Sequence, residues 1–136
     1  MEARQPWPRR RLETRANQQR PPVHVLGHEP CFEVADVDRA TGHYRLLGFT
    51  ISHHDANHAF AHRDEVTIHL AHSEHPTAGP GILYLHVDDA DRLAEQWRAA
   101  GVTVVAPNDS DYGKREGSHV DPDGNLLRFG SPLRRG

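Results

Sequence analysis

The chain has 136 residues, of which 36% are hydrophobic, enough for one domain or for two small modules that share a core. No segment approaches the roughly 18 consecutive apolar residues of a membrane span, and the N-terminal segment lacks the apolar region of a secretion signal. We therefore expect a cytoplasmic protein with no membrane partner. The single cysteine, Cys31, excludes an internal disulfide and a cysteine-based zinc site.

Charge is distributed unevenly along the chain. Residues 1–22 carry six arginines and two glutamates, whereas residues 23–130 carry eight basic and seventeen acidic residues, a formal charge of −9. Composition thus divides the chain into a basic N-terminal arm (1–26), a domain (27–131) and a basic C-terminal tail (132–136). An acidic domain repels nucleic acid and attracts cationic ligands. We expect no nucleic-acid partner, and we interpret the arm as an extension or a dimer strap.

A tandem repeat organises the domain. Residues 31–51 and 84–104 match without a gap at an offset of 53 positions, with seven identities. Each copy begins with a short alternating strand, continues with an aspartate in the N-cap position (Asp36 and Asp89) and then with an amphipathic helix that ends before a glycine. The predicted helical stripes are Val37, Ala40, Tyr44 and Leu47 in the first copy and Ala90, Leu93, Ala94, Trp97 and Ala100 in the second.

Three further strands complete each copy. They are predicted at about 49–54, 58–62 and 65–71 in the first copy and at about 102–106, 116–120 and 125–130 in the second. The DPDG sequence before the last strand is typical of a turn. The sequence therefore predicts an α+β fold of two tandem βαβββ modules, at about 27–73 and 80–131, that form curved mixed sheets around a cavity.

The duplication, the ADVDRATGHYRLLGF segment and the DPDGN turn resemble the vicinal-oxygen-chelate superfamily, which includes glyoxalase I, extradiol dioxygenases and bleomycin-resistance proteins. The LHVDDADRLAEQWRAAGV and DYGKREGSHVDPDGNLLRFG segments are most similar to the bleomycin-resistance branch, with Tyr112 where that branch commonly has tryptophan. The resemblance covers about residues 27–131. It implies a homodimer whose ligand grooves lie between the subunits and bind a drug without transforming it.

The resemblance also implies where a metal would bind. Enzymes of the superfamily carry metal ligands on the first and last strands of each module, and these positions fall on Glu29, His69, Ile82 and Arg128. Isoleucine cannot ligate a metal, and a guanidinium repels one. We therefore expect no metal cofactor and lean toward a protein that is not an enzyme. In place of the metal we expect a charge-assisted pair between Glu29 and Arg128.

Histidines keep a divalent metal as an alternative. A rearranged site of Glu29, His69 and His86 is the best metal site that the sequence offers. His54, His58 and His62 recur every four residues, but they fall in a predicted hairpin, which we interpret as a solvated histidine-rich surface.

The first function hypothesis is non-catalytic sequestration of a bleomycin-type cationic antibiotic, which confers resistance. An acidic core attracts the cationic tails of such drugs, and aromatic side chains stack on their planar parts. The alternatives are a metal-dependent lyase, isomerase or dioxygenase that uses Glu29 and His69, and a binding module for an unrelated small molecule. The candidate ligand contacts are Glu29, Glu33, Phe60, His69, Tyr84, His86, Tyr112, Arg115, Glu116 and Arg128.

Overall fold

The computed structural model describes residues 20–74 and 80–133. The first module contains β1 (Cys31–Val34), α1 (Val37–Leu46), β2 (Thr50–Asp55), β3 (His58–Arg63) and β4 (Val66–His72). The second contains β5 (Ile82–His86), α2 (Ala90–Ala99), β6 (Val105–Asp109), β7 (Lys114–Val120) and β8 (Leu126–Pro132). The predicted tandem of βαβββ modules is confirmed.

Both helices begin and end as the repeat predicts. The Asp36 carboxylate accepts a hydrogen bond from the Arg39 N–H at 3.0 Å, and Asp89 caps α2 in the same way. Gly48 and Gly101 follow the helices with φ of 91° and 86°, in the left-handed region that favours glycine. Neither helix in the described residues is long and apolar enough to cross a membrane.

Each module folds into one four-stranded mixed sheet. The strand orders are β1-β4-β3-β2 and β5-β8-β7-β6, and the two sheets do not close into a barrel. In the parallel pair of the first sheet Cys31 lies opposite His69, and in that of the second sheet Tyr84 lies opposite Arg128. Because Cys31 and Tyr84 are related by the repeat offset, His69 and Arg128 occupy equivalent positions in the two modules.

One strand of the second module lies later in the chain than predicted. The strand predicted at 102–106 is β6 at Val105–Asp109. The Val102 N–H instead donates to the Trp97 carbonyl at 2.9 Å and completes the exit from α2. Ala100 was predicted to lie on the buried stripe of this helix, but it is its exposed C-terminal cap.

One hydrophobic core joins the two modules. The buried strand residues are the helix-facing ones, such as Phe32 and Leu70 in the first sheet and Leu127 and Phe129 in the second, and all belong to a single cluster. The opposite face of each sheet therefore lies outside this core. We call these faces the first open face (β1–β4) and the second open face (β5–β8).

Buried polar contacts fix the joint between the modules. The Tyr44 hydroxyl donates to the Asp121 carboxylate at 2.8 Å, and the Trp97 indole N–H donates to the Leu47 carbonyl at 3.0 Å. His43 Nε2 and His119 Nε2 lie 2.7 Å apart. Burial, followed by the neighbouring imidazole of His119, lowers the pKa of His43.

Candidate functional site

The candidate site consists of the two open faces, because strand alternation directs most of the predicted contacts there. Burial alternates along β3, where Ala59 and Ala61 are buried and Phe60 is half-buried on the opposite side. The first open face carries Cys31, Glu33, His58, Phe60, His62, Thr67 and His69. The second carries Ile82, Tyr84, His86, Glu116, Ser118, Arg128 and Gly130.

On the second open face, four of the predicted contacts form a cluster around Glu116. The Tyr84 and Tyr112 hydroxyls donate to the two oxygens of its carboxylate, at 2.6 Å and 2.5 Å. Arg128 approaches the carboxylate at 3.4 Å, and its guanidinium carbon lies 5.4 Å from the centre of the Tyr84 ring. The His86 ring lies beside this cluster, with its centroid 4.9 Å from that of Tyr84. The cluster combines a negative charge with aromatic faces.

Hydrogen bonding keeps Glu116 ionised. The bonds from Tyr112 and Tyr84 lower the pKa of the Glu116 carboxyl. Burial, then the hydrogen bond to Glu116, raises the pKa of Tyr84 to about 12, so this hydroxyl remains a donor at neutral pH. Gly130 makes the arrangement possible, because a Cβ at this position would collide with the Tyr84 hydroxyl.

The first open face is aromatic and rich in histidine. The Phe60 and His69 rings stack with their centroids 4.6 Å apart and their planes 15° apart. His58 Nδ1 lies 3.1 Å from His69 Nε2, and His62 bonds to the Thr67 hydroxyl at 3.0 Å. The result is a flat surface of aromatic rings and imidazole nitrogens on two hydrogen-bonded strands.

Acidic and thiol groups lie along β1, at the edge of the first open face. The Oε2 atom of Glu33 is shielded from solvent and has no hydrogen-bond partner in the described chain, a state that costs free energy in the absence of a ligand or solvent partner. Burial, followed by the charges of Glu33 and Glu29, raises the pKa of Cys31, which makes this thiol a weak nucleophile at neutral pH.

Two of the predicted contacts lie elsewhere. Arg115 points to the helix side of β7, where it forms ion pairs with Asp91 at 3.2 Å and Asp109 at 3.0 Å. Glu29 is exposed and precedes β1. The expected pair between Glu29 and Arg128 is wrong: the ion pair of Arg128 is with Glu116 on the same sheet. The reason is that Glu116 on the adjacent strand β7 shares the second open face with Arg128 on β8 and takes its guanidinium.

Two cavities border the second sheet. One of about 240 Å³ is lined by residues of the second open face, among them Glu116, Ser118 and Arg128. A larger cleft of about 1030 Å³ separates the β3–β4 turn of the first module from β5 and α2 of the second, with Tyr84 and His86 in its wall. The charged and aromatic cluster therefore has open space on two sides.

The residues do not fit the metal centre that the resemblance implies. Ile82 offers no ligand atom and is 69% exposed, while the Arg128 guanidinium is bonded to Glu116. Within residues 20–74 and 80–133, no three histidine, cysteine, aspartate or glutamate side chains are grouped so that they could hold a metal ion. The rearranged set of Glu29, His69 and His86 therefore does not form within one chain.

Comparison with known proteins places this geometry in a family. The model of the Glyoxalase/Bleomycin resistance protein/Dioxygenase superfamily matches residues 23–129, and the chain belongs to this superfamily. It is 32% identical over 103 residues to an uncharacterized protein of Mycolicibacterium smegmatis, which covers 74% of this chain and 88% of the relative. It is 28% identical over 128 residues to a bleomycin resistance protein of Geobacillus stearothermophilus, and this match covers 77% of this chain and 96% of the relative.

A solved structure is similar as well. The bleomycin-binding protein from bleomycin-producing Streptomyces verticillus, complexed with copper(II)-bleomycin, superimposes with a TM-score of 0.67 at 26% identity. The match covers 82% of this chain and 99% of that chain.

Sequence reasoning missed two residues of the candidate site. His58 was assigned to a solvated hairpin, although its alternation with Phe60 already placed it on the same face. Gly130 was not singled out, because its role depends on the Tyr84 ring that lies across it. Register across the strands was the signal needed in both cases.

Proposed function

We propose that the protein sequesters a bleomycin-type cationic antibiotic in the cytoplasm, without transforming it, in grooves between two copies of the chain. The observation that carries the proposal is the second open face, where an ionised carboxylate lies between tyrosine rings. The bleomycin resistance protein and the bleomycin-binding protein among the relatives add support at the level of the family.

The chemistry of the two faces suits such a ligand. A cationic tail would bind the Glu116 carboxylate and displace Arg128, whose contact at 3.4 Å is the longest in the cluster. A planar heteroaromatic part would stack on Phe60 and His69, which already lie parallel to each other. The ligand-binding role of Glu29, Glu33 and Arg115, like that of the other candidate contacts, stays a prediction.

The position of the open faces supports the proposed homodimer. The two modules of one chain use their helix-facing sides for the common core, so both open faces lie outside it. A second copy can cover the first open face of one chain with its own second open face. By two-fold symmetry such a dimer has two equal grooves, each with residues from both chains. The N-terminal arm remains a candidate strap across this interface.

The metal-dependent alternatives have weaker support. A lyase, isomerase or dioxygenase that used Glu29 and His69 would need further ligands where this chain has Ile82 and Arg128. A binding module for an unrelated small molecule would use the same two faces, so the choice of probe distinguishes it from the first proposal.

The test is isothermal titration of metal-free bleomycin into chelator-treated protein. We expect saturable binding of one drug per chain, and a Glu116→Gln variant that binds at least about tenfold more weakly, as a hot-spot contact does. The matched control is Glu95→Gln, which removes an exposed carboxylate on α2. No heat and no thermal stabilisation by the drug would reject the bleomycin proposal, and equal losses in both variants would reject the role of Glu116.

A further inference from the structure

The first open face contains a pair of imidazoles, of which the proposed drug binding uses only the ring face of His69. His58 on β3 and His69 on β4 lie diagonally across two antiparallel strands, since Phe60 is the residue directly opposite His69. His58 Nδ1 and His69 Nε2 are 3.1 Å apart, with ring centroids 5.2 Å apart. In this hydrogen bond the two nitrogens share one proton.

The nitrogen separation is also that of two imidazoles on one metal ion. With metal–nitrogen distances of about 2.0–2.1 Å, two such ligands lie about 2.9 Å apart at a right angle and about 3.4 Å apart at the tetrahedral angle. The observed 3.1 Å falls between these values. Metal binding would replace the shared proton, and a modest swing of each ring would direct both lone pairs at the ion.

The surroundings of the pair allow an ion to enter. Both side chains are half-buried on the open face, and their other ring nitrogens, Nε2 of His58 and Nδ1 of His69, make no hydrogen bond within the described chain. These atoms can therefore carry the protons that the metal-bound tautomers require. Stacking on Phe60 fixes the plane of the His69 ring, so little ordering is needed on binding.

A second imidazole pair in the described chain lacks this access to a metal ion. His43 and His119 are 2.7 Å apart, but His119 is 5% exposed and its Nδ1 is bonded to the Thr103 carbonyl at 2.6 Å. That pair is part of the joint between the modules.

We propose that His58 and His69 together bind one divalent late first-row transition-metal ion, copper(II) or zinc in class, on the first open face. Imidazole nitrogens suit these ions, and copper(II) binds them most tightly. Because no third histidine, cysteine or carboxylate completes a metal-holding group in the described residues, water fills the remaining coordination positions. This site lies within one module and, of the four metal positions that the resemblance implies, uses only His69.

The experiment is a titration of chelator-treated full-length protein with copper(II) alone, in the absence of any drug. Calorimetry with a competing ligand gives the affinity of the first equivalent, and electron paramagnetic resonance counts the nitrogens bound to it. We expect two imidazole nitrogens in the wild type. We expect H58Q and H69Q each to lower the affinity for the first equivalent of copper(II) at least about tenfold, because each variant loses a metal ligand and not merely a contact that supports one.

The matched control is H54Q, on the same face. The His54 ring meets the His58 ring edge-on, with centroids 6.4 Å apart, and no hydrogen bond joins the two side chains in the described chain. H54Q should therefore retain the affinity of the wild type, and circular dichroism of each metal-free variant checks that it is folded. The proposal is overturned if H58Q or H69Q binds the first equivalent of copper(II) as tightly as the wild type does. It is also overturned if only H54Q loses affinity.

Discussion

Replacing Tyr44 by phenylalanine should destabilise the joint between the modules. The ring would remain in place, since Tyr44 is 0% exposed and packs edge-to-face on Phe49, so the change removes only the hydroxyl that donates to Asp121 at 2.8 Å. Burial, together with Asp121, raises the pKa of Tyr44 strongly, so the hydroxyl is a donor at neutral pH.

The magnitude follows from the partner of this hydroxyl. Asp121 is 4% exposed and would keep the bond from the Asn125 amide at 3.1 Å. A buried hydrogen bond to a charged group is worth about 1.5–3 kcal/mol. At roughly 4 °C per kcal/mol for a domain of this size, we expect a melting temperature about 6–12 °C lower. Urea unfolding should show a lower midpoint with an unchanged slope.

Tyr112→Phe is the matched control for this prediction. It deletes the same kind of bond, from a tyrosine hydroxyl to a carboxylate, but at a side chain that is 65% exposed. We expect no measurable change in its urea midpoint. If Tyr44→Phe changed the midpoint no more than Tyr112→Phe does, the account of the joint would be refuted.

Three further predictions concern the second open face and acid stability. Gly130→Ala should weaken drug binding in calorimetry because the new Cβ displaces the Tyr84 hydroxyl. Gly42→Ala, with no atom within 4 Å of the new Cβ, is the control and should bind the drug normally. Equal drug affinities of the two variants would contradict the role of Gly130. Because hydrogen bonds lower the pKa of Glu116, drug affinity should persist as the pH falls to about 5 and decline only below that; a decline already near pH 6.5 would contradict this. The pKa of His43 is lowered from 6.5, so the unfolded chain takes up the proton first, and stability present at neutral pH is lost as the pH falls below about 6.5. The His43→Gln variant should therefore lose less unfolding free energy than the wild type between about pH 7 and 5.5. An equal loss in the two proteins would contradict this prediction.

The fold could be predicted from the sequence because its signals are local and repeated. The caps Asp36 and Asp89 mark both helix starts, and the offset of 53 residues carries the topology of one module to the other. The start of β6 could not be predicted, because residues 102–104 match a strand in composition. Their place is decided by the bond from the Val102 N–H to the Trp97 carbonyl at the end of α2.

The site was predictable only as far as one strand's alternation reaches. That alternation put Tyr84 and Arg128 on one face of the second sheet, where the structure has them. The choice of Arg115 beside Glu116 overlooked that adjacent strand residues point to opposite faces. The expected pair of Glu29 and Arg128 needed knowledge of how the modules pack, which arises from long-range contacts that no local pattern encodes.

The most direct test of the central claim is a subunit-mixing titration with metal-free bleomycin. Phe60→Ala damages the first open face and Glu116→Gln the second, so each variant alone should bind weakly. In dimers whose grooves combine faces of different chains, refolding an equal mixture leaves about one groove in four with both faces intact. We predict recovery of that fraction of wild-type affinity sites, and none when the Phe60→Ala/Glu116→Gln double variant is refolded alone. Wild-type binding without any recovery in the mixture would contradict a groove shared between two chains.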